Sequence, residues 1–98
     1  MQVIMNQNNR YYHLKALTKA SAVDDASKDL FAAQKIHMHN FTELCRAEKH
    51  IRVKNREFSD VYSHYRVAFE VSHIRVNELH CKYQKALKQY QQALKQLQ

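Results

Sequence analysis

The pattern of apolar and polar positions is most regular at the C-terminal end of the chain. Residues 83–96 read YQKALKQ and then YQQALKQ, a seven-residue unit repeated with a single change. Its phase continues backward in alternating steps of four and three through these positions: Leu97, Ala93, Tyr90, Ala86, Tyr83, Leu79, Val76, Ser72, Phe69, Tyr65, Tyr62 and Phe58. Residues spaced in this way form a stripe along a helix that packs on other helices. The sequence therefore predicts one long helix over about residues 56–97.

The middle of this predicted helix carries a second apolar face. At about 100° per residue, Val67, Val71, Ile74 and Cys81 fall on the side opposite the heptad stripe. A helix that is apolar on two sides is covered on both, either by two segments of its own chain or by one segment and a second molecule. Because strongly apolar helical stretches are scarce elsewhere in the chain, this face favours a second molecule.

The N-terminal half gives weaker signals. A loose N-terminus over residues 1–9 is expected to precede a short helix over 10–20, on which Tyr11, Leu14, Leu17 and Ala20 lie near helical spacing. Serine and aspartate side chains at 21–27 are typical of a helix start, so a second helix is predicted over 25–53. Its apolar side would contain Leu30, Ala33, Phe41, Leu44 and Ile51.

Two boundaries in this half depend on asparagine. A break of the second helix at 37–40 is an open alternative, because Asn40 and Glu43 have the spacing of a capping box. The main turn is predicted around 54–56, where Asn55 can adopt the left-handed conformation that ends a helix.

The composition supports an all-helical chain. The sequence of 98 residues contains no glycine and no proline, the residues that tight turns, bulges and phosphate-binding loops most often need. The expected fold is all-α, a single domain over residues 1–98, built as an antiparallel helical hairpin or a three-helix bundle with coiled-coil-like packing. Because the common catalytic motifs need glycine at fixed points, an enzyme is not expected.

The two cysteines, Cys45 and Cys81, indicate an intracellular chain. They are too few for a disulfide framework, and they are too far apart in sequence for a close-spaced metal or redox motif. The apolar start MQVIM is followed at once by polar residues, so it lacks the features of a signal peptide. No stretch is long enough to span a bilayer. A cytoplasmic protein without membrane contact is expected.

The charge is strongly positive, with a formal net charge of +7. Arg46, Lys49, Arg52 and Arg56 would form a basic strip if the second helix continued through them. Such a strip can steer an acidic protein surface toward the chain, or it can contact phosphates. The aromatic residues lie at core spacing and are not interleaved with the basic ones, so a stacking platform for single-stranded nucleic acid is not predicted.

The seven histidines do not form a convincing metal site. Glu70 and His73 have the Glu-x-x-His spacing of di-iron bundles, but no second copy of this pair occurs in the chain. No metal or other cofactor is predicted. Histidines beside the packed seam could make assembly sensitive to pH.

Tyrosines at the edge of the heptad stripe suit a half-exposed interface. Tyr62, Tyr65, Tyr83 and Tyr90 offer large contact areas while their hydroxyl groups still reach water, although boundary residues of an intramolecular bundle have the same pattern. The predicted function is non-enzymatic protein binding by an adaptor, chaperone or inhibitor that forms a homodimer. The alternative is a nucleic-acid-binding accessory protein that contacts phosphates through residues 46–56.

Overall fold

The protein is a hairpin of two long helices. The structure, a computed structural model, describes the backbone of residues 2–52 and 59–97 and the side chains of residues 9–49 and 60–97. Helix α1 spans Gln2–Arg52 and helix α2 spans Ser59–Lys95, and the described residues contain no strand. The long C-terminal helix is therefore confirmed over Ser59–Lys95, and its predicted start at 56 lies outside the described residues. The predicted turn at Asn55 lies outside the described residues.

The N-terminal half forms one helix, so the three-helix alternative is wrong for the described residues. Neither the loose N-terminus nor a separate helix over 10–20 is present, because α1 runs without interruption from Gln2 to Arg52. The aspartates and serines that suggested a helix start lie in the middle of α1. There Lys28 Nζ contacts Asp24 Oδ2 at 3.1 Å, one helical turn away. This hydrogen bond and the Asp24 charge raise the pKa of Lys28.

The two helices run antiparallel along their described lengths. Near the open end Lys15 Nζ donates to Gln96 Oε1 at 3.1 Å, and Lys19 Nζ donates to Gln89 Oε1 at 3.4 Å. Nearer the connection Asn40 Nδ2 donates to the carbonyl of Ala68 at 3.2 Å. Residue numbers thus fall along α2 as they rise along α1, which defines a hairpin.

The buried stripe of α2 is the one that the heptad phase predicts. Every described member of the stripe, from Tyr62 to Leu97, is buried or half-buried. Leu79 is the most enclosed large side chain, with 4% of its surface exposed, and it packs with Leu30 and Ala33 of α1. Val76 and Tyr83 close this small core from the two neighbouring positions of the stripe.

The buried stripe of α1 differs from the prediction. It also advances in steps of three and four, but through small and polar residues: Tyr12, Ala16, Lys19, Val23, Ala26, Leu30, Ala33, His37, Asn40, Leu44 and Ala47. Of the predicted apolar positions, Leu30 and Ala33 are buried as expected, whereas Leu14, Leu17 and Phe41 are exposed. Tyr11 is also exposed, and the side chain of Ile51 is not among those that the structure describes.

The helix does not break at residues 37–40, because polar side chains there satisfy each other across the seam. Asn40 is buried in the middle of α1, where its amide bonds α2 instead of capping a new helix. The alternative of a break is therefore wrong.

The hairpin is a thin rod of 80 × 14 × 14 Å with a radius of gyration of 22.1 Å. A compact domain of this length has a radius of gyration of about 13 Å. Two helices have only one shared side to bury, so many large apolar side chains stay in solvent.

Candidate protein-binding face

The predicted second face of α2 is exposed along the hairpin. Val67, Ile74 and Cys81 recur every seven residues and form one row on the side turned away from α1, and Val71 lies beside this row. Val67 and Val71 are each 60% exposed and Ile74 is 58% exposed. No described segment of the chain covers these four residues, which we call the α2 outer face. Coverage of this face by a second segment of the chain is not seen among the described residues, and coverage by a second molecule stays a prediction.

An open groove between the helices borders this face. This groove, which we call the mid-hairpin groove, has a volume of ≈ 460 Å³. Val71 lines one wall and Ile36 of α1, also 60% exposed, lines the other. The floor consists of seam residues, among them Ala33, Ser72 and Leu79. Ile36 therefore extends the apolar surface of α2 onto α1.

A second groove continues the first toward the open end of the hairpin. We call it the alanine groove; it has a volume of ≈ 480 Å³ and is lined by Ala22, Ala26 and Ala86, with charged residues at its edges. Asp29 lines both grooves, so they lie on the same side of the molecule and meet there. The charges at the edges have both signs, with Asp25 and Asp29 from α1 and Lys82, Lys85 and Arg75 from α2.

A polar cluster of His37, Asn40 and Ser72 interrupts the seam behind the mid-hairpin groove. The Ser72 hydroxyl donates to the carbonyl of Phe69 at 3.0 Å, so its oxygen accepts from Nδ1–H of His37 at 2.7 Å. The imidazole also stacks on the Phe69 ring with centroids 4.6 Å apart. With this assignment of hydrogens His37 is a donor to Ser72. The pair therefore links the two helices across the seam.

The four predicted tyrosines lie in the seam. Tyr62, Tyr65, Tyr83 and Tyr90 are all half-buried between the helices, and Tyr83 packs on the core of Leu30, Ala33 and Leu79. Their rings thus serve the hairpin itself, and their contact with a partner stays a prediction.

The basic strip is only partly described. Arg46 Nη1 contacts Glu43 Oε1 at 3.0 Å, and Lys49 is exposed. The side chain of Arg52 and the whole of Arg56 lie outside the described residues. A continuous strip of four cations therefore stays a prediction, and its first member has a carboxylate beside it.

The histidines and cysteines do not assemble into a metal site within the described residues, where no group of three or more His, Cys, Asp or Glu side chains is suitably placed. Glu70 instead approaches Arg66, with Oε1 and Nε 3.8 Å apart, and His73 Nε2 lies 3.4 Å from Asn77 Nδ2. Cys45 and Cys81 are exposed free thiols. Neither described helix has an apolar stretch long enough to cross a membrane.

The groove residues that the sequence did not reveal include Asp29, Ile36 and Arg75. Arg75 and Ile36 adjoin the seams of their helices, so knowledge of both seams would have identified them. The seam of α1 contains alanine, lysine, histidine and asparagine, so no periodic stripe of large apolar residues marks it in the sequence.

Comparison of the chain with known protein families, curated proteins and solved structures found no match.

Proposed function

We propose that this protein is a non-enzymatic protein-binding module of the adaptor, chaperone or inhibitor class. Its binding surface consists of the α2 outer face and the mid-hairpin groove. The helices pack in a coiled-coil-like manner through their two stripes, and a partner helix or hairpin adds to them on the open side. The module works in the cytoplasm, associates with itself, and uses its positive charge to approach acidic protein surfaces.

The observation that carries this proposal is the exposure of Ile36, Val67, Val71 and Ile74 on one contiguous part of a highly charged rod. Solvent-exposed apolar patches of this kind mark interaction sites in soluble proteins. Full burial of one such side chain contributes about 1.5–3 kcal/mol, so the remaining exposed fraction is worth about 1–2 kcal/mol each.

These four side chains cannot support binding alone. The free energy gained by burying the exposed parts of all four is about 4–8 kcal/mol. Association costs about 4–15 kcal/mol in lost translational and rotational freedom. A stable partner must therefore also bury neighbouring surface, and the mid-hairpin groove beside Val71 offers it.

Substitution of Val71→Lys together with Ile74→Lys tests the proposal. Both side chains are exposed, so the double variant should keep the helical circular dichroism of the parent and lose self-association or partner capture. Light scattering of the pure protein and a pull-down from its native source are the measurements.

Met38→Lys is a matched control, because Met38 is 63% exposed and lies about 200° around α1 from Ile36. This control should bind like the parent. Unchanged association in the double variant, or equal loss in the control, would contradict the proposed surface.

Nucleic-acid binding has weaker support as the alternative. The Arg46 guanidinium lies beside Glu43, which lowers its net attraction for phosphates. The described residues contain no row of exposed aromatic rings along the basic strip on which bases could stack.

A further inference from the structure

The mid-hairpin groove and the alanine groove together, which we call the hairpin channel, have walls of opposite charge. The α1 wall contributes the carboxylates of Asp25 and Asp29. The α2 wall contributes the cations of Arg75, Lys82 and Lys85. No other charged side chain lines either groove, so each wall has a single sign of charge among the described residues.

The wall charges are available to a partner. Within the part of the chain that the structure describes, the two carboxylates and the two lysines of the walls form no ion pair. Arg75 is the exception, because its Nη1 lies 3.8 Å from Oε2 of Glu78 in an exposed contact. Opposite charges that a partner brings to each wall therefore add to its attraction.

The floor of the channel requires no hydrogen bonds from a partner. Asn40 and Ser72 line the mid-hairpin groove, but the Asn40 amide already donates to the Ala68 carbonyl, and the Ser72 hydroxyl bonds both Phe69 and His37. Among the described residues, every buried side-chain nitrogen and oxygen has a hydrogen-bond partner. Apolar side chains can therefore cover this floor with little loss of hydrogen bonding.

The length of the channel suits a helix. It extends from Ala22 to Asn40 on α1 and from Val71 to Gln89 on α2, which is about 18 residues, or about 27 Å, on each helix. Both walls are helices whose backbone groups bond within the helix, so they offer no strand edge to an extended peptide. A helix satisfies its own backbone and presents one apolar side to such a groove.

We infer that the hairpin channel binds one amphipathic helix of a partner protein. This helix has a stripe of apolar residues, basic residues along the edge over α1, and acidic residues along the edge over α2. The inference rests on the proposed protein-binding function and states the chemistry of the partner. The bound helix completes a three-helix bundle, in which charges beside the apolar seam select the partner as e and g residues do in coiled coils.

The shape of the channel sets the apolar contacts of the bound helix. Toward the open end of the hairpin, Ala22, Ala26 and Ala86 leave room for large side chains such as leucine. Toward the helix connection, the exposed side chains of Ile36 and Val71 line opposite walls, so apolar residues of the partner contact both helices there. Close packing over both halves excludes water from the seam.

Two synthetic helical peptides of about 21 residues test the charge arrangement. Both have leucine at the a and d positions and contain the same lysines and glutamates. In the segregated peptide, lysine occupies every e position and glutamate every g position, so the peptide can match both walls in one of its two directions. In the alternating peptide, the two residue types alternate along both edges.

The segregated peptide should bind more tightly. Fluorescence anisotropy with trace amounts of labelled peptide at physiological salt should give it a Kd at least about fivefold below that of the alternating peptide. The two peptides have equal net charge, so general attraction to a chain of net charge +7 cannot produce this difference.

Two double variants of the protein locate the effect. Asp25→Lys with Asp29→Lys makes both walls basic, so the Kd values of the two peptides should come within about twofold of each other. Asp24→Lys with Glu70→Lys is the matched control, because it changes the net charge equally at exposed positions outside the channel. The control should keep the preference of the parent. Circular dichroism checks that both variants are helical.

Several results would overturn the inference. These are binding of neither peptide at about 0.5 mM, equal Kd values for the two peptides, and equal loss of preference in the two double variants. A parent dimer that excludes both peptides would assign the channel to a second copy and would also overturn it.

The proposed function is tested separately. If the peptides fail, association that is lost in the variant with Val71→Lys and Ile74→Lys would leave the proposed function standing with a different occupant. If that variant also changes nothing, both proposals fail.

Discussion

The core residue Leu79 provides the sharpest test of the hairpin. Replacement by alanine removes three carbon atoms from a side chain that is 96% enclosed, since only 4% of its surface is exposed. At about 0.8 kcal/mol per buried CH₂ group, the lost burial amounts to about 2.4 kcal/mol.

Truncation of an enclosed leucine usually costs about 2–5 kcal/mol, and the upper part of this range reflects the cavity left behind. Leu79 borders the mid-hairpin groove, so truncation deepens a groove that is already open to solvent. The expected loss in the free energy of unfolding is therefore at the lower end, about 2–3 kcal/mol.

Urea unfolding followed by circular dichroism measures this loss. All variants must be compared at one protein concentration, because self-association would add to the apparent stability. Leu17→Ala is the matched control: its parent side chain is 67% exposed, so its loss should stay below about 0.5 kcal/mol. Equal losses at the two positions, or a loss below about 1 kcal/mol at Leu79, would refute the assigned seam.

Two further predictions concern the polar cluster and the basic strip. Asn40→Ala should lower the free energy of unfolding by about 1–2 kcal/mol, because the hydrogen bond from this buried amide to Ala68 is lost. Thr42→Ala, which removes an exposed bond to the carbonyl of Met38, should cost less than about 0.5 kcal/mol in the same urea assay; equal costs would contradict the role of the cluster. Binding to a generic DNA duplex should be weak and depend little on salt. A steep salt dependence that becomes shallower after Arg46→Gln with Lys49→Gln would instead support the nucleic-acid alternative.

The helical class and the buried side of α2 could be predicted from the amino-acid sequence alone. The absence of glycine and proline left helices as the favoured backbone, and the tandem heptads set the phase of a stripe that contains bulky residues such as Leu79 and Tyr83. A stripe of large apolar side chains can be recognised in the sequence of one helix without knowledge of the helix it packs on, because the burial of such side chains is favourable against almost any helix. The same heptad phase also placed Val67 and Ile74 on the side of α2 opposite the buried stripe.

The buried side of α1 and the grooves became evident only when the two helices were seen packed together. The larger apolar residues Leu14, Leu17 and Phe41 suggested a stripe, yet they lie in solvent while Ala16, Ala26 and Ala47 are buried. Small residues of α1 lie in the seam because the larger side chains of α2 fill the space between the helices there. The complementary packing therefore cannot be recognised from the sequence of either helix alone. His37 and Asn40 are accepted in the seam because Ser72 and the Ala68 carbonyl meet them across it. Pairwise fits of volume and hydrogen bonds depend on the register of two helices, and that register exists only in the folded hairpin.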